Sequence, residues 1–222
     1  MTIHTKQIAF NRTTRTDKIK YIVIHDTGNK SRGANADAHF NYFNGGDRGS
    51  SADFFVDDTQ ILQVNDYNKY YTWHCGDGNG KYGITNNNSV GVEICVNSDG
   101  DYDIAFQKTV ELVKMLMDTL NLPIDRIVRH YDASRKNCPA SMSGDNWALW
   151  NAFKGQLIFN SAKERDKMIY NYIDENMSEW AREAVQWAVD NDIVRGDGNG
   201  LNLDDKDLKN ISWIYRAWKL HK

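Results

Sequence analysis

The 222 residues suffice for one large domain or for a domain with a small second one, and 41% hydrophobic residues allow a sizeable core. The formal net charge of −3 gives no basic surface of the kind that binds nucleic acid. No apolar run is long enough to span a membrane, and residues 1–15 lack the apolar segment of a secretory signal. We therefore expect a cytoplasmic protein, or one that leaves the cell by another route.

The first 155 residues alternate between predicted strands and helices. In chain order the predicted elements are a strand at 21–24, a helix at 34–44, a hairpin of strands at 54–56 and 61–64, a strand at 90–96, a helix at 106–120, a short strand at 127–128 and a helix at 147–153. This order predicts an α/β domain around a buried sheet. A long polar loop, CGDGNGKYGITNNNS, precedes the strand at 90–96, and loops of that length are often functional.

The remaining residues have a purely helical pattern. A helix is predicted from about residue 160, a second over SEWAREAVQWAVDNDIV and a third over about 204–220, with GDGNG between the last two. The sequence therefore predicts two domains, an α/β domain at 1–158 and a small all-helical domain at 159–222.

Three residues of the first domain are candidate metal ligands. His25 ends one predicted strand, His130 follows another, and Cys138 lies eight residues later. Imidazole nitrogen and thiolate sulfur are the usual ligands of Zn²⁺, but the spacing requires a loop to bring His130 and Cys138 together. Spacing alone leaves structural or surface roles open for all three.

Two charged residues are candidate catalytic groups. Glu93 stands among apolar neighbours in its strand, where a carboxylate is costly unless it is used, and near a metal it would act as a general base. The alternative is a solvent-facing or ion-paired acid. Lys136, two residues before Cys138, would stabilise an oxyanion, unless it is an ordinary surface lysine.

The cysteines number three, an odd count that argues against a disulfide framework. A buried apolar role, a metal ligand and a nucleophile are open for each. Packing in the core is the better interpretation of Cys75 and Cys95. His39, within a predicted helix, is interpreted as structural.

Five segments in a fixed order carry a family resemblance over about residues 18–155. They are VIHDTG, SADFFVDD, TWHCGDGNG, NNNSVGVEICV and RHYDASRKNCPASM. Together they resemble the zinc-dependent N-acetylmuramoyl-L-alanine amidases of the type-2 amidase and peptidoglycan-recognition superfamily, especially phage and prophage endolysins of Gram-positive bacteria. The resemblance implies a central mixed β-sheet flanked by helices.

The resemblance also implies roles for individual residues. His25, His130 and Cys138 match the positions that hold zinc, Lys136 matches an oxyanion stabiliser, and Glu93 matches the residue that activates water. Another branch of the family uses a tyrosine in the segment matching SADFF. Because this chain has Ala52 and Phe54 there, Glu93 is the main candidate for the base.

Further roles follow from the loop segments. His74 and Trp73 match positions that line the substrate groove, and His74 is interpreted as a substrate contact. The alternative for His74 is a loop histidine packed by Trp73. Asp132 is expected either to hydrogen-bond a ligand imidazole or to cap its loop.

The implied activity is hydrolysis of the amide between N-acetylmuramic acid and L-alanine in bacterial peptidoglycan. An endolysin of this kind would wait in the cytoplasm until a holin pore releases it to the host cell wall. A non-catalytic peptidoglycan-binding protein on the same fold is one alternative, which Cys138 disfavours. A regulatory protein that binds a protein partner is the other, and the tail disfavours it.

The tail, WAREAVQWAVDNDIVRGDGNGLNL, resembles one S-layer-homology unit, although LDDKDLKN replaces the expected ending. It implies binding to the cell wall, with a secondary wall polymer as a further partner and homo-oligomerisation as a further hypothesis. Trp180 and Trp187 lie seven residues apart, a spacing that a helix–helix core explains at least as well as stacking on sugars.

Overall fold

Two units make up the chain in the computed structural model, Met1–Leu157 and Ile158–Lys222. The structure describes residues 1–165 and 169–219. The functions assigned above to a first and a second domain stay predictions.

Short strands and longer helices alternate through the first unit. The strands are β1 (Ile3–Thr5), β2 (Arg12–Thr14), β3 (Tyr21–Asp26), β4 (Phe54–Val56), β5 (Ile61–Gln63), β6 (Tyr70–Thr72), β7 (Ser89–Ile94) and β8 (Ile127–Arg129). The helices of the chain are α1 (Ala36–Asn44), α2 (Tyr102–Leu120), α3 (His130–Ser134), α4 (Gly144–Arg165), α5 (Glu179–Asp190) and α6 (Asp205–Lys219). Short 3₁₀ helices lie at Gly76–Gly78, Ile124–Arg126 and Ala140–Met142.

Six of these strands form a mixed sheet in the order β1-β5-β4-β7-β3-β8. β4 and β5 are the predicted hairpin and pair antiparallel, whereas the other neighbours in the sheet run parallel. β2 and β6 form a separate antiparallel pair. The predicted mixed α/β fold is confirmed.

The two faces of the sheet differ, as the alternation along β7 predicts. Val90, Val92 and Ile94 point into the main hydrophobic cluster, where residues of α2 and α4 cover them. The other face carries Gly91 and Glu93. The side chain of Glu93 therefore lies on the face away from α2.

Helix boundaries follow the capping residues. The helix expected to begin at Phe106 begins four residues earlier because the Asp101 side chain accepts a hydrogen bond from the Ile104 amide, 3.1 Å away. Asn35 caps α1 in the same way, through the Ala38 amide.

The helices expected at 147–153 and from about 160 are a single helix, α4, so the separate second helix was wrong. Its first turn is irregular, with left-handed backbone at Asp145, Asn146 and Trp147. Residues 154–160 contain no proline that would stop a helix, and a single glycine, Gly155, is tolerated within one, so the helix continues.

In the second unit, α5 and α6 pack around their own hydrophobic cluster, which includes Val185 and Leu208. Trp187 lies against Tyr215 and Trp218, as expected of a helix–helix core, whereas 47% of Trp180 is exposed. The predicted end of the last helix, Leu220, lies outside the described residues. Among the described residues, every helix is too short or too polar to cross a membrane.

Candidate metal centre

The central parallel strands bring two candidate residues side by side. In the register of β3 and β7, His25 is paired with Glu93, close to the carboxyl end of each strand. Nδ1 of His25 lies 3.9 Å from Oε1 of Glu93. Functional groups commonly collect at this edge of parallel strands because the strand ends and their loops converge there.

The neighbouring strand and its loop supply the other two ligand candidates. β8 pairs Arg129 with Ile24, so His130 follows directly beside His25. Their Nδ1 atoms are 3.1 Å apart, and Sγ of Cys138 lies 3.7 Å from Nδ1 of His25. The amide of Tyr131 donates to the Cys138 carbonyl and closes the loop that the sequence spacing required.

His25, His130 and Cys138 form a buried cluster that can hold a metal ion. One donor atom from each lies within 4.8 Å of the others. Burial and the neighbouring imidazoles lower the pKa of His25, and burial lowers the pKa of His130, so both rings are neutral and able to donate a lone pair. Burial and the nearby Glu93 raise the pKa of the Cys138 thiol to about 12. Two imidazoles and a thiol are a donor set that fits Zn²⁺.

Glu93 faces this cluster with an oxygen to spare. Its Oε2 atom is buried and makes no hydrogen bond to the described part of the chain. Burial and the charge of Asp26 raise the pKa of Glu93 well above the usual range, against the opposing charge of Lys136. A carboxylate with such proton affinity suits a general base. Phe54, in the SADFF segment where another branch of the family has a tyrosine, lies in the main core and carries no hydroxyl.

Asp77 is a residue of this site that the sequence interpretation missed. Its Oδ1 accepts a hydrogen bond from Nε2 of His130 over 2.7 Å, and its Oδ2 accepts one from the Ser134 hydroxyl. Asp132 instead accepts hydrogen bonds from the backbone amide and the guanidinium of Arg129. Asp132 thus has the expected capping role and does not contact a candidate ligand imidazole through these bonds. Asp77 and His130 are 53 positions apart, and no sequence signal marks their pairing.

A cavity of about 380 Å³ opens beside the cluster. Its lining residues are Gly49, Ser50, Trp73, His74, Gly76, Asp77, Asn86, His130 and Lys136. Lys136 is exposed at this cavity, and the indole of Trp73 donates to the Thr13 hydroxyl. Catalytic roles for Lys136 and Glu93, and substrate contacts by His74 and Trp73, stay predictions.

The two other cysteines are buried in apolar clusters, Cys75 with Val23 and Cys95 with Phe55. All three cysteines are free thiols. His39 stacks on Phe55 at a centroid distance of 5.2 Å, in agreement with a structural role. None of these side chains contributes a donor to the cluster of His25.

Comparison with known proteins identifies this arrangement. A family model described as N-acetylmuramoyl-L-alanine amidase matches residues 15–141, which include the three candidate ligands and Glu93. N-acetylmuramoyl-L-alanine amidase XlyA of Bacillus subtilis (strain 168) is 40% identical over 134 residues, which are 60% of this chain and 42% of that protein.

Two solved structures are similar to about seven tenths of the chain. The catalytic domain of XlyA matches with a TM-score of 0.63 at 36% identity, over 71% of this chain and 99% of that one. A mutant endolysin from Bacillus subtilis matches with a TM-score of 0.63 at 38% identity, over 70% and 98% of the two chains. This chain thus spans nearly the whole of those solved chains but less than half the length of XlyA.

Proposed function

The chain belongs to the family of N-acetylmuramoyl-L-alanine amidases, and from this premise we propose that it hydrolyses the amide between N-acetylmuramic acid and L-alanine in peptidoglycan. The observation that carries the proposal is the convergence of His25, His130 and Cys138 within 4.8 Å, with Glu93 beside His25. The matching positions of the family model lie within residues 15–141.

We propose Zn²⁺ as the metal, held by the two imidazoles and the thiolate. When bound, zinc supplies Lewis acidity, which polarises a carbonyl and makes a water molecule acidic near neutral pH. Glu93 accepts the proton that the attacking water loses and passes it to the alanine nitrogen as the C–N bond breaks. The Lys136 ammonium stabilises the negative charge that develops on the carbonyl oxygen. The products are a lactyl carboxylate and a peptide with a free N-terminal alanine.

The cavity beside the cluster is the proposed entrance for the substrate. Trp73, His74 and Lys136 line it, and it reaches His130. Its aromatic and polar lining is suited to an amide-linked sugar and peptide.

We further propose that the protein is an endolysin that acts in host lysis. The solved mutant endolysin from Bacillus subtilis supports this proposal through its 38% identity. On this proposal the protein comes from a phage or prophage and stays in the cytoplasm until a pore releases it to the wall. The second unit would bind the wall in the manner of an S-layer-homology module, to peptidoglycan or a secondary wall polymer.

The test of the activity uses purified Bacillus peptidoglycan. We expect new N-terminal alanine and no new reducing sugar, loss of the reaction after chelation, and its recovery after Zn²⁺ is added back. Cys138→Ser should release little alanine at any Zn²⁺ concentration, and Cys95→Ser, a change at a buried thiol outside the cluster, should retain activity. Protein that pellets with the wall and releases no alanine would contradict the proposal and indicate a binding protein.

A further inference from the structure

His74 lies behind the metal centre, and its two ring nitrogens are both engaged within the protein. Nδ1 is 3.1 Å from Nε2 of His25, and Nε2 is 3.1 Å from the hydroxyl oxygen of Ser89. The residue is 8% exposed. Neither nitrogen is therefore available to a substrate in this arrangement.

The direction of these hydrogen bonds follows from the bond that the Ser89 hydroxyl makes to Thr85. The Ser89 hydroxyl donates its one hydrogen to the backbone carbonyl of Thr85. Ser89 must then accept from Nε2–H of His74. A neutral imidazole carries a single N–H, so Nδ1 of His74 is an acceptor.

The same logic determines the state of the ligand ring. Because Nδ1 of His74 accepts, Nε2 of His25 carries the hydrogen and donates it. Nδ1 of His25 is left with its lone pair, and this is the atom that lies 3.1 Å from Nδ1 of His130 and 3.7 Å from Sγ of Cys138.

The backbone around His74 is built to hold the ring in place. A Cβ at Gly91 would lie 2.6 Å from Cγ of His74, so only glycine allows the ring to rest on β7 at this point. The Gly91 amide is held in turn by Oδ2 of the buried Asp53, at 2.8 Å. On the loop, the Asn86 side chain accepts hydrogen bonds from the amides of His74 and Cys75.

Cys75 is a further contact of the Ser89 hydroxyl. Its Sγ lies 3.8 Å from the Ser89 oxygen, whose hydrogen is already used. Burial raises the pKa of the Cys75 thiol to about 12, so the thiol is protonated at neutral pH and is the donor in this contact. This gives the buried Cys75 a place in the relay besides its packing.

We propose that the relay from the Thr85 carbonyl through Ser89 and His74 fixes the tautomer and the orientation of His25, which makes His74 a positioning residue. The inference rests on the proposed function, in which His25 is a zinc ligand. Ligand imidazoles are commonly oriented by a partner on their second nitrogen, and loss of the partner typically weakens metal binding about 10- to 100-fold. Here His130 has the carboxylate of Asp77 as that partner, whereas His25 has a neutral relay.

The experiment compares His74→Leu, His74→Asn and Ser89→Ala in the full chain. The probe is Zn²⁺ alone, titrated against a chromophoric chelator, with the Co²⁺ absorption spectrum as a second readout. We expect affinity to fall about 10- to 100-fold in His74→Leu and less in Ser89→Ala. In His74→Asn the amide oxygen can still accept from His25, so most of the affinity should return. The exposed His4→Leu serves as the control, and near-ultraviolet circular dichroism checks the fold.

Two results would overturn the relay. One is wild-type Zn²⁺ affinity in a folded His74→Leu protein, above all if its KM for peptidoglycan fragments rises, since that would make His74 a substrate contact. The other is a wild-type protein that binds no Zn²⁺. A wild-type protein that binds Zn²⁺ through this relay but releases no alanine would refute the proposed function and leave the relay supported.

Discussion

Glu93 is a buried carboxylate that the sheet holds beside the cluster of His25, His130 and Cys138. Its neighbours in β7 are apolar, its Oε2 lacks a partner in the described chain, and burial raises its pKa. Burying a carboxylate without such a partner costs free energy, so a carboxylate of this kind marks a candidate functional position. The pairing of Glu93 with His25 in the register places the other carboxylate oxygen, Oε1, 3.9 Å from Nδ1 of His25.

Glu93→Gln is the substitution that isolates this role. The amide has nearly the same shape but cannot accept a proton at neutral pH, so alanine release should fall about 10²- to 10⁴-fold. Zn²⁺ affinity should remain within a few-fold of wild type, as measured by chelator competition. Glu111→Gln, the same change at an exposed position on α2, is the control and should be fully active. Retention of a tenth or more of the wild-type rate in Glu93→Gln would assign the base to another group.

The sequence made some residues of the site predictable and left others hidden. His25, His130 and Cys138 were candidates by donor chemistry, and the family resemblance of their segments selected them as the ligand set. Asp77 contacts the candidate ligand His130 across 53 positions of sequence, and Ser89 contacts His74, which in turn contacts the candidate ligand His25. Only the folded chain shows these contacts. Ordinary polar residues in a polar loop carry no signal for such pairings.

At the scale of elements, a 3₁₀ turn against a short helix aligns Asp77 with His130. Gly78 ends this turn, and a Cβ there would lie 2.1 Å from the Ala133 carbonyl oxygen of α3. The contact is with backbone, which cannot swing aside as a flexible side chain can. The close approach of the two elements thus depends on a glycine next to the residue that holds the imidazole.

Gly78→Ala should therefore separate the turn from α3. We expect a loss of about 1–3 kcal/mol in the free energy of unfolding, as for other overpacked sites, measured by urea denaturation. Zn²⁺ affinity should fall as well, by up to about 100-fold, because Asp77 moves away from His130.

Gly155→Ala is the matched control on α4. This glycine is exposed within a helix, and a Cβ there meets no atom within 4 Å. The substitution should raise the free energy of unfolding of its unit by about 0.5–1 kcal/mol, because alanine favours the helix. Equal effects of the two substitutions would show that the contact of Gly78 with Ala133 is unimportant.

The elements themselves were predictable where their periodicity was strong. The strand with alternating Val90, Val92 and Ile94 and the amphipathic helix α2 follow from spacing alone. The strands β1, β2 and β6 were missed because they are short and mostly exposed or half-buried, so they contain no run of buried apolar residues. The equally short β4 and β5 were predictable because they are largely apolar and buried. The two expected helices that form the single helix α4 show that helix boundaries are hard to predict where no residue stops the helix.

The whole molecule has two units with separate cores. Among the side chains that the structure describes, the main cluster of the first unit reaches Leu157 and the cluster of the second includes Tyr170. A unit as small as the second has a core that supplies only a few kcal/mol. The proposed division of labour, with cleavage in the first unit and wall binding in the second, predicts that one can be lost without the other.

Leu208→Ala tests that division. Leu208 is fully buried in the cluster of the second unit, and such a truncation typically costs about 2–5 kcal/mol, enough to unfold a small helical unit. The variant should lose tryptophan signals from the second unit and should no longer pellet with cell walls. Its cleavage of a soluble N-acetylmuramoyl-peptide fragment should stay within about twofold of wild type, since the cluster of His25 draws on other residues.

Leu149→Ala, the same change at an exposed position on α4, should leave both readouts intact. Wall binding that survives in Leu208→Ala would place the wall contact in the first unit, and a matching loss of soluble cleavage would show that the two units depend on each other.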